Sequence, residues 1–178
     1  TAHILPWMPR ERTDYIFTDL SEHAFRFGEQ KFFEFPFVRY QRLDIDRPPT
    51  EQGFEEQSID VVIGANVLHA TTDLVRSLQH IRTLLAPGGL LLLREFLRPS
   101  WLGDLVLGFA EGWRNHDGDG CAPDGCNAAR WRQLLGAGGY TDVALVSPEE
   151  HNIGSPQIML LGRAPAASEA RDGACPPD

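Results

Sequence analysis

Cysteine is scarce in this chain: Cys121, Cys126 and Cys175 are the only three among 178 residues. A small, odd number excludes a disulfide framework and points to a reducing cytosol, so a cytoplasmic location is expected. Cys121 and Cys126, even with His116 close by, lack the second ligand pair of a structural zinc site, so no metal is expected. Basic residues are also in deficit, with 16 Lys and Arg against 25 Asp and Glu for a net charge of −9. Binding a phosphate backbone needs the opposite balance, which excludes nucleic acid as the partner. No apolar run approaches the length of a membrane span, no signal-like start is visible, and no repeat is present. Nor is any strand followed by a Gly-x-Gly loop ahead of the first helix. The run Gly136-Ala137-Gly138-Gly139 follows a helical segment instead, where glycine acts as a C-terminal stop.

What is present is an ordinary globular composition, 42% hydrophobic, in a chain long enough for one domain with a sizeable core. Residues 1–8 read as the end of a helix stopped by Pro9. Residues 15–19 are β-branched and aromatic and end in Asp19, a candidate strand. Ser21 is a candidate N-cap, with Glu22 in the first turn of a helix reaching about Phe33. Residues 37–43 form a second strand, followed by Asp44, Ile45, Asp46 and the break at Pro48-Pro49. Residues 59–65 are almost continuously apolar, as expected of a strand buried on both faces. Over residues 72–86, Leu74, Val75, Leu78, Ile81 and Leu85 recur at helical spacing, which predicts an amphipathic crossover helix. Pro87-Gly88-Gly89 is a turn before a buried strand over 90–93. A helix is expected over 102–109, a surface loop over 115–125 and a helix over 128–137 with Trp131, Leu134 and Leu135 on one face. Residues 140–146 and 158–161 read as closing strands. Strands alternating with helices predict a parallel α/β sheet, with an antiparallel finish possible. The folded core is placed at residues 1–163 and a linker or disordered tail at 164–178.

Chemistry concentrates between Asp60 and Glu95. A strand, a crossover helix and a second strand bring Asn66 and His69 to the end of one strand and Glu95 to the end of the next. In open α/β sheets this edge holds the ligand. A histidine and a carboxylate arriving there together can act as a base and its orienting partner. Glu95 could alternatively be a surface acid paired with Arg94 or Arg98. His23, His80, His116 and His151 have no such context and are expected to be solvated. Trp113 and Trp131 are expected to pack the core or an apolar pocket rather than to act chemically.

Several segments together give the chain a family resemblance. They are residues 15–21, Leu43-Asp44-Ile45, Gln52-Gly53-Phe54, Ala65-Asn66-Val67-Leu68-His69-Ala70-Thr71, residues 84–90 with Pro87-Gly88-Gly89, Glu95, Glu111-Gly112-Trp113 and residues 131–135. The chain resembles the class I S-adenosylmethionine-dependent methyltransferases, and more narrowly the C-methyltransferase domain embedded in polyketide synthases. The Pro-Gly-Gly turn is common to many methyltransferases, whereas the 65–71 motif is far more specific. The resemblance implies an α/β, Rossmann-like methyltransferase sheet with helices on both faces, of which the first strand and the Gly-rich loop are missing from this chain. Asp19 stands where an acid about twenty residues past that loop would stand. The chain is therefore expected to begin just beyond the loop and to bind the cofactor poorly by itself.

The resemblance further implies S-adenosylmethionine as cofactor. Asp19 would meet the ribose hydroxyls; Leu20 would belong to the same cofactor-binding set; Asp44 would meet the adenine amino group; Ile45 the adenine ring; and Asn66 the cofactor cleft. The bland alternatives are a helix-capping Asp19, a turn aspartate at 44 and a turn asparagine at 66. His69 would be the base and Glu95 its partner. The implied reaction methylates the α-carbon of a β-ketoacyl thioester on an acyl carrier protein, with further synthase domains in the same polypeptide. A non-catalytic scaffold domain and a free-standing O- or N-methyltransferase are the alternatives.

Overall fold

The computed structural model describes residues 1–96, 128–146 and 157–166; among these, apolar runs of strand length alternating with amphipathic segments produce six strands and three α-helices. The contacts divide the chain into two compact units, Thr1–Asp44 and Ile45–Asp178.

In the first unit, β1 (Tyr15–Asp19) and β2 (Val38–Arg42) pair in parallel and α1 (Glu22–Lys31) connects them. Ser21 caps α1, its hydroxyl accepting from the His23 amide at 3.2 Å. The unit is built on aromatic packing: Phe17 meets Phe25, Phe32 and Tyr40 with ring centroids 6.5, 6.2 and 5.6 Å apart. Gly28 lets α1 pass over Tyr40, since a Cβ there would lie 2.8 Å from the ring. The expected helix end over residues 1–8 is instead a short 3-10 turn, Leu5–Trp7. Pro6 falls in its first turn and Pro9 follows directly, leaving too few amides to extend an α-helix.

The second unit holds β3 (Ile59–Ala65), α2 (Leu74–Leu84), β4 (Leu85–Phe96), α3 (Ala128–Ala137), β5 (Thr141–Val146) and β6 (Gln157–Arg163). The sheet order is β3-β4-β6-β5; β3 and β4 are parallel, and β6 is antiparallel to both its neighbours. This is the mixed sheet with an antiparallel finish that the sequence allows. The Asp73 side chain caps α2 by accepting from the Arg76 amide at 3.0 Å. Leu74, Leu78 and Ile81 of α2, Trp131, Leu134 and Leu135 of α3, Leu91 and Leu93 of β4, and Ile158 and Leu160 of β6 form one buried core. Trp131 belongs to this core. Gly139, with φ +83°, ends the α3 turn and leads into Tyr140, whose hydroxyl donates to the Leu78 carbonyl at 3.0 Å.

Two expectations need correction. β3 is covered on one face rather than two: Val62 packs towards the core while Val61 and Ile63 are exposed. Apolar composition records what a face would prefer to bury, not whether an element lies over it. β4 begins at Leu85 rather than after the Pro-Gly-Gly turn, because Leu85 already pairs with Ile59; the turn sits inside a register shift before Leu90 meets Val61. Just past β6, the Ala164 amide donates to the Gly89 carbonyl at 2.8 Å, and the Gly88 amide donates to the Ala164 carbonyl. The helix expected over 102–109 and the loop over 115–125 lie outside the described residues, as do Trp113, His116, Cys121, Cys126, His151 and Cys175.

Candidate active site

The parallel pairing of β3 and β4 sets Ala65 beside Arg94, so the next residues, Asn66 and Glu95, emerge together at the C-terminal edge of the sheet. Asn66 extends the ladder by one bond, its amide donating to the Arg94 carbonyl at 2.8 Å, and then turns the chain with φ +52°. Asparagine tolerates this left-handed backbone better than most residues. Its side-chain oxygen Oδ1 is buried and has no hydrogen-bond partner. The chain then forms a single 3-10 turn, Leu68–Ala70, with His69 at its centre.

Glu95 comes from the neighbouring strand to meet this turn. It is 1% exposed, and its Oε1 accepts the Val67 and Leu68 amides at 2.9 Å each. Glu95 is therefore not a surface acid. Burying a carboxylate is costly unless strong donors surround it, and backbone amides supply such charge-assisted bonds. Glu95 thus grips the two residues that immediately precede His69. The sequence places the acid and the histidine at one edge, but the backbone grip has no signature in it.

Within the first unit, Asp19 pairs in register with Arg42 and its carbonyl accepts the Leu43 amide at 3.3 Å. Asp19 and Asp44 therefore belong to the same C-terminal end of the β1–β2 pair. Oδ1 of Asp19 accepts the Ser21 amide at 2.8 Å, so the capping arrangement is present. Leu20 is 54% exposed and Asp44 is half-buried.

Ile45 opens the second unit and packs against its core. Its carbonyl lies 2.8 Å from Nδ1 of His80. This corrects the expectation that His80 is merely solvated: it is half-buried on α2 and holds the backbone at Ile45. Sequence reasoning missed this contact because the acceptor is a carbonyl remote in the chain. Among the described residues no cluster of three or more His, Cys, Asp or Glu side chains could hold a metal ion, and no helix is long and apolar enough to cross a membrane.

Comparison with known proteins gives this α/β fold its family. Residues 1–91, more than half of the chain, match the family described as a methyltransferase domain, and the chain belongs to that family. Its curated relatives are polyketide synthases. The highly reducing polyketide synthase PKS2 of Leptosphaeria maculans is 39% identical over 157 residues, which cover 83% of this chain but 6% of that protein. The CurJ carbon methyltransferase is 38% identical with a TM-score of 0.86, over 93% of this chain and 45% of that one. The trans-methyltransferase CalH, solved in complex with SAH, is 37% identical with a TM-score of 0.76, over 85% of this chain and 42% of that one. The chain thus spans a small fraction of the synthases it matches, and less than half of these solved methyltransferases.

Proposed function

We propose that this chain forms part of a C-methyltransferase domain of a polyketide synthase, acting on the α-carbon of a β-ketoacyl thioester carried by an acyl carrier protein. The observation that carries the reading is the buried Glu95 carboxylate holding the amides of Val67 and Leu68, directly before His69, at the ligand edge of a parallel strand pair. The likeness to CurJ and CalH, and to synthases in which such a domain would have neighbouring domains, supports it.

S-adenosylmethionine, when bound, supplies an electrophilic methyl group on a sulfonium. The unpartnered Oδ1 of Asn66 fits such a cofactor, because a buried acceptor without a donor is costly until a ligand provides one. Asp19 would serve the ribose, with Leu20 beside it in the cofactor site, Asp44 the adenine amino group and Ile45 the adenine ring. An α-proton between two carbonyls must leave before carbon can attack. A neutral imidazole suits that step, since its pKa lies near the operating pH. His69 is the base in this reading. Glu95 keeps the turn in place with one oxygen, and its charge favours the imidazolium as it forms.

The test is His69→Ala in the full natural protein, supplied with a β-ketoacyl thioester and S-adenosylmethionine. Methylated product should fall on the order of a hundredfold or more, while calorimetric affinity for the cofactor stays unchanged. Near-normal turnover would remove His69 from the mechanism.

A further inference from the structure

Glu95 secures one end of the turn that carries His69, and a second carboxylate, Asp46, secures the other. The Thr72 amide donates to both Asp46 oxygens at 3.2 Å, and the Thr72 hydroxyl donates to Oδ2 at 2.9 Å. The hydroxyl of Ser77, which is fully buried on α2, donates to Oδ1 at 3.0 Å. His80, one helical turn beyond Ser77, meets the carbonyl of Ile45, the residue before Asp46. The start of α2 therefore grips the 45–46 segment through both a side chain and a backbone group.

Between the two carboxylates the backbone is closely accounted for. Asn66 donates to Arg94, Val67 and Leu68 to Glu95, Ala70 to Val67, Thr71 to Leu68 and Thr72 to Asp46. The Thr71 hydroxyl adds a bond to the Leu68 carbonyl at 2.8 Å. Asp46 is placed to do this as an aspartate. An ionised carboxylate is an acceptor at both oxygens, whereas an asparagine offers one acceptor and one donor and cannot receive all of these N–H and O–H groups.

We propose that Asp46 is a positioning residue: with Glu95 it clamps residues 66–72 at both ends, fixing the backbone that presents His69. The inference rests on the proposed function for its catalytic consequence, but not for the clamp itself. A base must be held close to its productive geometry, and a displacement of about 1 Å can cost on the order of a hundredfold in rate.

Asp46→Asn in the full natural protein tests the clamp by peptide-level hydrogen exchange and by steady-state kinetics. Exchange over residues 66–73 should accelerate about tenfold while residues 89–95 of β4 stay protected. The kcat for methyl transfer should fall about tenfold or more, by a larger factor than any rise in KM for S-adenosylmethionine. If Asp46→Asn misfolds, Thr72→Val, which removes only the hydroxyl bond, should shift the same readouts in the same direction by less. Unchanged exchange over 66–73, or equal acceleration over both segments, overturns the clamp. Faster local exchange with unchanged kcat overturns the positioning role. If the wild-type protein transfers no methyl group, the proposed function falls, while the exchange arm still decides the clamp.

Discussion

In the proposed site Glu95 would carry two separable duties on one side chain. Its Oε1 accepts the Val67 and Leu68 amides, a structural duty, and under the proposed mechanism its charge would act on His69, an electrostatic one. Substitutions can divide them. Glu95→Ala leaves both amides without an acceptor and should cost about 1–3 kcal/mol for each, visible as a lowered urea midpoint. Glu95→Gln keeps a carbonyl oxygen for the amides. It should retain most of the stability while losing turnover about as severely as Glu95→Ala. Equal stability of the two variants would show that the amide bonds are dispensable. Asn66 is the complementary case, a residue whose backbone strain and unsatisfied oxygen both occur at the proposed site, where local rules are most often broken.

At the scale of elements, β1, β2, β3, α2, α3 and the two closing strands were legible as periodicity and punctuation. Ser21 and the 136–139 glycine run marked helix ends correctly because capping is local chemistry. Contacts between elements were not legible. The Tyr140–Leu78 bond, the His80–Ile45 bond and the Asp46 clamp each join residues far apart in sequence, and neither partner is unusual in its local context. The first of these makes a pH prediction. Burial raises the Tyr140 phenol pKa above its ordinary value near 10. The folded state therefore keeps a proton that the unfolded chain releases. The stabilisation is complete below about pH 10 and declines as pH rises beyond it. Tyr140→Phe should cost about 0.5–1.5 kcal/mol at neutral pH and flatten the alkaline loss, as read from urea midpoints at pH 7 and near pH 11. An alkaline loss as steep in Tyr140→Phe as in the wild type would assign it to other groups.

For the whole molecule, the informative feature is the second face of the four-stranded sheet. Register places Val61 and Ile63 on it with Met159 and Val146, and all four are exposed. Among the described residues β3 also pairs on one edge alone. An apolar sheet face beside an unpaired edge favours association with other chains. This 178-residue chain should therefore self-associate with rising concentration in sedimentation velocity. The double variant Ile63→Lys and Met159→Lys should shift it towards monomer without altering its circular dichroism. A monodisperse wild-type monomer across the range would remove the argument. The sequence could not disclose this face, since a strand's composition is the same whether its cover is present or not.

The position of β4 has a consequence for the order of synthesis. It pairs on one side with β3, already made, and on the other with β6, which follows α3 and β5 in the chain. A ribosome emitting this polypeptide therefore releases β4 long before its second neighbour exists. Trp131, Leu134 and Leu135, which close the core over Leu91 and Leu93, also emerge later. The parallel half of this unit must wait as a half-built sheet, with an apolar strand open to nascent neighbours and to chaperones. A pause in translation between β4 and β6 would lengthen that exposure. A pause after β6 would fall on a chain whose central strand is already enclosed.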